Sequence, residues 1–200
     1  MVGLIPAVRL LEGAVDYGLC CVEGVAPDVL SRPTPCVGWN LCDLLRHLDE
    51  SMTALREAPE QGDVGLATAV REPVAPESAT GLVTAVRLSA RALLAAWRRV
   101  DAASETAVGG MPLAPGVVAL VGAIEIAVHG WDIAETCGHR RSIPARLAQE
   151  MLRWAPLVAD DTARPFLFAP AMSLPPTAPA GDRLVAYLGR QPGGALPTER

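Results

Sequence analysis

This 200-residue chain has three histidines, and two of them lie in segments of helical period. His129 sits in Ala123-Ile124-Glu125-Ile126-Ala127-Val128-His129-Gly130-Trp131-Asp132. Glu125 and His129 are four apart and Asp132 is three further on, so on a helix all three lie close to one face. Between Val117 and Val128 the only charged residue is Glu125, flanked by Ile124 and Ile126. It reads as a buried carboxylate, which without a partner would cost on the order of several kcal/mol or become protonated. A divalent metal cation is the economical compensation, with His129 beside it and His47 supplied from a facing helix, because bundles build metal sites from inward-projecting side chains. Spacing alone leaves an alternative open, in which Glu125 pairs with an arginine such as Arg46 or Arg91 and the histidines are ordinary helix residues.

The neighbours of these residues have weaker signals. Asp132 can accept the ring N–H of a ligand histidine and orient it, or it can bond to the loop before the second helix; the spacing does not choose. Cys36 reads as a small, buried thiol, since a nucleophile would require an identifiable cation beside it. His139 follows a helix stop together with Arg140 and Arg141 and reads as part of a solvated loop. Five cysteines, Cys20, Cys21, Cys36, Cys42 and Cys137, show neither CxxC nor metal-knuckle spacing.

The elements that must position these residues are helices. Ile5, Val8, Leu11, Val15, Leu19 and Val22 recur every three or four residues and predict a first helix over 4–25. Asn40 stands as an N-cap with Asp43 at N3, predicting a second helix over 41–58 that carries His47. A loop is expected over 59–76, then a third helix over 78–100. Gly109-Gly110-Met111-Pro112 breaks the chain, and Pro115 or Gly116 opens a fourth helix that Gly138 stops. Ser142 and Pro144 begin a fifth, to about residue 158. A Pro-rich segment over 164–180 precedes a short helix over 182–189. No strand and no internal repeat is expected, and four long amphipathic helices predict a bundle.

Composition narrows the partners. Half of the residues are apolar, 4% are aromatic and the net charge is −5, which predicts one domain over residues 1–200 with a real core. All 17 basic residues are arginine, a bias that reads as a GC-rich coding genome. An acidic chain without a basic block lacks the positive stripe that nucleic acid or an anionic membrane requires. Arg9, Glu12 and Asp16 interrupt the apolar N-terminal stretch, and glycines and prolines break the uncharged run 108–124, so neither is expected to act as a signal or a membrane span. The expectation is a cytoplasmic protein with free thiols, monomeric or homodimeric.

Two longer strings carry a resemblance. Thr34-Pro35-Cys36-Val37-Gly38-Trp39-Asn40, followed by Asp43-Leu44-Leu45-Arg46-His47-Leu48, resembles the N-terminal signature of actinobacterial metal-binding proteins of the mycothiol-dependent maleylpyruvate isomerase type, within the DinB-like superfamily. Glu125 through Ala134 resembles the second signature of that group, and Asp182 through Arg190 its usual ending. The resemblance implies an all-α, DinB-like four-helix bundle, here with an extra C-terminal helix and a Pro-rich tail. It implies one divalent metal, most often zinc, held by His47, Glu125 and His129; the supporting role of Asp132 rests on its spacing alone. Three ligands leave an open position, as catalytic zinc sites do, and two His with one carboxylate also suit iron(II) or nickel(II). Trp39 and Trp131 belong to the same signatures and read as packing residues.

The activity implied is that of a metal-dependent transferase or isomerase acting on a small molecule, with mycothiol as cosubstrate, and the Arg-only composition fits an actinobacterial host. A thiol-free isomerase, cyclase or lyase of secondary metabolism, or a metal-stabilised binding protein, are the other classes. Maleylpyruvate isomerase resembles a bundle followed by a second, substrate-contacting domain. Two hundred residues leave no room for that domain, and the tail with Arg164, Phe166 and Phe168 is expected to cover the site instead.

Overall fold

The computed structural model describes residues 3–65, 78–101, 103–159 and 168–193. Four long helices form the bundle: α1 (Leu4–Val22), α2 (Leu41–Gln61), α3 (Ala79–Trp97) and α4 (Pro115–Thr136). Helix α1 packs chiefly on α4 and α2 on both α3 and α4, while α5 (Ala145–Val158) and α6 (Ala180–Tyr187) pair beside α1 and α4. Leu11, Leu44, Leu48, Met52, Leu93, Trp97, Leu120 and Ile126 fill the centre. Aliphatic side chains on helix stripes thus build the core, which is why so few rings suffice.

Local signals set the helix starts and stops. The Asp43 N–H donates to Asn40 Oδ1 at 3.0 Å and the Asn40 N–H to Asp43 Oδ2 at 3.3 Å, a reciprocal cap worth about 1 kcal/mol. This cap fixes the phase of α2 and therefore the direction of His47, seven residues on. Ser78 caps α3 through the Gly81 N–H. Cys137 ends α4, and Gly138 at φ 75° follows in the left-handed region. At α5 it is Pro144 that occupies the cap position, with the Ser142 expected there lying outside the helix.

Helix α2 runs three residues past the predicted stop at Ala58, through Pro59. A proline there cannot donate to the Leu55 carbonyl, but the indole N–H of Trp97 does so instead, at 3.0 Å. The orphaned acceptor is satisfied from α3, and the helix continues to Gly62 at φ 80°.

A small sheet departs from the all-helical expectation. Strands β1 (Asp63–Val64), β2 (Thr106–Val108) and β3 (Met111–Leu113) form a three-stranded sheet in that order, β1 parallel to β2 and β2 antiparallel to β3. Strands of two or three residues are too short to show a period of two. Gly109 and Gly110, at φ 57° and 75°, form the two-residue hairpin turn between β2 and β3. Residues 66–77, most of the expected loop, lie outside the described residues.

Helices α3 and α4 are both long and apolar enough to cross a membrane by length and composition. In α4 that apolarity has a different use, since 83% of its most apolar window is buried by the rest of the bundle. Its close approach to α1 occurs at glycine: a Cβ on Gly130 would stand 3.1 Å from Gly18 Cα and 3.3 Å from a Tyr17 ring carbon. Gly130→Val is expected to lower stability by about 1–3 kcal/mol through overpacking against backbone. Chemical denaturation measures it, and an unchanged midpoint would remove Gly130 as the determinant of the α1–α4 distance.

Candidate metal centre

Helices α2 and α4 bring His47, Glu125 and His129 together. The Nε2 of His47 is 2.8 Å from Glu125 Oε1, and the Nε2 of His129 is 3.1 Å from the same oxygen. All three donor atoms lie within 4.8 Å of one another. Tetrahedral ligands at zinc distances stand roughly 3.3 Å apart, so a small outward shift opens this cluster to a cation. Two neutral imidazole nitrogens and one carboxylate are also a donor set that zinc accepts, and the residues present fit the group.

The environment of Glu125 differs from the sequence expectation. Its side chain is 34% exposed, so the carboxylate is partly rather than fully buried and part of it meets solvent. Partial burial disfavours its charge, but the His129 charge and hydrogen bonds from both rings outweigh it and hold the carboxyl well below its ordinary range. For His129, 9% exposed, burial opposes protonation. The Glu125 charge and the hydrogen bonds to Asp132, Cys36 and Glu125 prevail and raise its pKa well above the usual value.

Asp132 meets both alternatives that its spacing allowed. Its Oδ2 lies 3.1 Å from His129 Nδ1 and 3.3 Å from Cys36 Sγ, which comes from the loop before α2. The side chain is fully buried, and Arg190 closes on it with Nη2 3.0 Å from Oδ2 and Nε 3.3 Å from Oδ1. Burial raises the Asp132 pKa, while the Arg190 charge and the His129 hydrogen bond lower it further, so the group is ionised. An ionised carboxylate only accepts, which assigns a proton to His129 Nδ1 and leaves Nε2 facing Glu125.

The loop before α2 is pinned to this arrangement. The Thr34 N–H donates to the Trp39 carbonyl at 2.9 Å, Thr34 Oγ1 donates to it at 3.0 Å and accepts from the Cys36 N–H at 3.1 Å, and Gly38 turns at φ 80°. The loop therefore presents Trp39 edge-on to His47, ring centroids 4.7 Å apart, and stacked toward His129 at 6.4 Å. Trp39 packs, as expected, but against both histidine rings.

Cys36, His129 and Asp132 form a second cluster of donor atoms within 4.8 Å. Its positive charge is already supplied by Arg190, whose Nη2 is 3.6 Å from Cys36 Sγ, so it reads as an ion-pair network. The cation that the sequence reading required beside Cys36 thus exists, contributed from the far end of the chain. Of the tail residues expected over the site, Arg164 and Phe166 lie outside the described residues, and Phe168 is half-buried against the core. His139 is exposed. A groove of about 440 Å³ lined by Ile5, Pro6, Arg9, Leu10, Arg153 and Trp154 contains none of the cluster residues.

Sequence reasoning missed two contributors. Ser51 is one turn beyond His47 and places Oγ 3.3 Å from His47 Nε2 and 3.5 Å from Glu125 Oε1; the i, i+4 rule applied to His47 would have found it. Arg190 contacts Asp132 across 58 residues of sequence, and no local spacing reveals such a pair.

The fold and the converging donors define an all-α bundle of the DinB type with a candidate His/Glu/His metal centre. The sequence model of the family described as mycothiol maleylpyruvate isomerase N-terminal domain matches residues 11–134, and the chain belongs to that family. Among curated proteins it is similar to an uncharacterized protein of Mycobacterium tuberculosis, present in two strains. Each is 28% identical over 182 residues, covering 90% of this chain and 94% of the relative. No solved structure matches the chain.

The charge state of the cluster gives a pH dependence. With the His129 pKa raised, the metal-free protein holds this ring as imidazolium at neutral pH, and a cation must displace its proton. Cation uptake is therefore expected to release at least one proton at pH 7 and to tighten as pH rises, measured with an indicator dye in weak buffer. In the metal-free protein the His129 contribution to stability is complete below the ordinary histidine range and is lost as pH rises through the raised value. That of Glu125 is present above the ordinary carboxyl range and is lost as pH falls through the lowered one. Uptake without proton release would show that the cation displaces no imidazolium proton.

Proposed function

We propose that the protein binds one divalent cation, zinc, through His47, Glu125 and His129, and acts on a small molecule with a low-molecular-weight thiol, mycothiol, as cosubstrate. The reaction class is thiol transfer or thiol-assisted isomerisation. The convergence of three donor atoms from α2 and α4 at one solvent-accessible point carries this reading, and membership of a family described by mycothiol chemistry supports it. A cytoplasmic location is part of this reading, because a reduced low-molecular-weight thiol is available as cosubstrate in a reducing compartment.

Each residue has a distinct task. The Glu125 carboxylate and the two Nε2 atoms would hold the cation. Asp132 keeps the Nδ1 proton of His129 and so directs the Nε2 lone pair into the centre. Arg190 holds Asp132 ionised and fixed. Trp39 covers the two imidazole rings and limits water on that side. A bound divalent cation supplies Lewis acidity and lowers the pKa of a donor atom in the open position.

The test combines metal analysis of the purified protein with a thiol screen. About one equivalent of zinc is expected, with consumption of mycothiol in the presence of small electrophiles or, for cis-enoyl acids, mycothiol-dependent cis–trans isomerisation without net loss of the thiol, and loss of turnover on chelation and its return on adding zinc. Full turnover by a verified metal-free sample would refute the reading.

A further inference from the structure

We propose that Ser51 keeps the fourth side of the centre open and positions the incoming donor atom by a hydrogen bond, an inference that rests on the metal reading above. Two helices each contribute a pair of residues one turn apart: His47 and Ser51 on α2, Glu125 and His129 on α4. Three of these four corners are strong metal donors. The fourth is a neutral hydroxyl, 3.3 Å from His47 Nε2 and 3.5 Å from Glu125 Oε1.

The residue type at this corner decides what the site can be. Serine is a modest helix former that commonly turns its hydroxyl back to the carbonyl one turn earlier. The hydrogen-bond partners of Ser51 are instead donor atoms on both helices. Cysteine, histidine or aspartate at this corner would add a fourth strong ligand and give the closed coordination of a structural zinc site. A hydroxyl brings no such ligand, but it retains one O–H donor and two lone pairs. Once the His47 Nε2 lone pair is committed to a cation, the side-chain acceptors left to Ser51 are Glu125 and the incoming atom. The ligand class selected is a small anionic donor able to accept one hydrogen bond, such as a thiolate.

Cobalt(II) absorption spectroscopy tests this, with N-acetylcysteine as the thiol probe. The unaltered protein loaded with cobalt(II) is expected to show no sulfur-to-cobalt charge-transfer band until N-acetylcysteine is added. Ser51→Cys is expected to show the band with no added thiol and to gain nothing from the probe. Ser51→Ala should keep cobalt(II) affinity within about threefold and bind N-acetylcysteine roughly tenfold more weakly, the effect of one hydrogen bond to a charged acceptor. A Ser51→Cys protein that takes up cobalt(II) without the band, or a Ser51→Ala protein that binds the probe as well as the unaltered one, overturns the role of Ser51 alone. Failure of the unaltered protein to take up cobalt(II) overturns the metal reading and this inference together. Uptake of cobalt(II) without any response to the probe overturns the thiol reading and the positioning role, and the Ser51→Cys band then still decides whether Ser51 faces the open side.

Discussion

Replacing His129 with alanine is expected to weaken divalent-cation binding by more than about a hundredfold. Zinc bound by four protein ligands in small domains is worth on the order of 10 kcal/mol or more, so each ligand carries about 3 kcal/mol, and the proposed site has only three. Of the proposed ligands His129 also has the most rigid support, since its Nδ1 is held 3.1 Å from Asp132 and its ring is buried on α4. The metal-free variant should keep its far-ultraviolet circular dichroism, because the core around Ile124, Ile126 and Ile133 does not depend on the imidazole. Competition with a chelating dye measures the affinity. A loss of less than tenfold would mean that the cation is held elsewhere.

The second large effect is on stability. Asp132→Ala strands the guanidinium of Arg190, 13% exposed, beside Cys36 with no carboxylate to meet it. Removing one member of a buried ion pair typically costs about 3–5 kcal/mol, and that loss is expected in urea unfolding of the metal-free protein. Cation affinity should fall as well, by roughly ten- to a hundredfold, because the His129 ring loses the acceptor that orients it. Combining Asp132→Ala with Arg190→Met should recover part of the stability without recovering the affinity, since neither charge is then left alone. A single-variant loss below about 1 kcal/mol would show that the pair is not the anchor of the C-terminal segment.

Local chemistry made much of the bundle legible. The Asn40–Asp43 cap, Pro115 and Gly138 mark the ends of the helices that carry the candidate ligands, and helical spacing then puts Glu125, His129 and Asp132 on one face. Contacts distant in sequence were not legible. The extension of α2 through Pro59 depends on an indole from α3, the short sheet has no period to read, and Arg190 reaches Asp132 only because the path of the tail brings it back to α4. The exposure of Glu125 was also hidden, because an apolar run shows that a helix is central but not that one of its faces opens to solvent.

The two clusters on either side of His129 differ in consequence. On the Nε2 side lie two further strong donors and a hydroxyl, with access to solvent. On the Nδ1 side lie a thiol, a carboxylate and a guanidinium already paired. One imidazole thus links the proposed ligand set to the structural ion pair, and through Arg190 the C-terminal segment braces the centre.

Anomalous diffraction at the zinc edge, from crystals of the zinc-loaded protein, tests this arrangement most directly. One peak is predicted, about 2.0–2.2 Å from His47 Nε2, Glu125 Oε1 and His129 Nε2, with Asp132 still bonded to His129 Nδ1. A peak bonded instead to Cys36 and Asp132, with Arg190 displaced, or no peak within reach of His47, would contradict it.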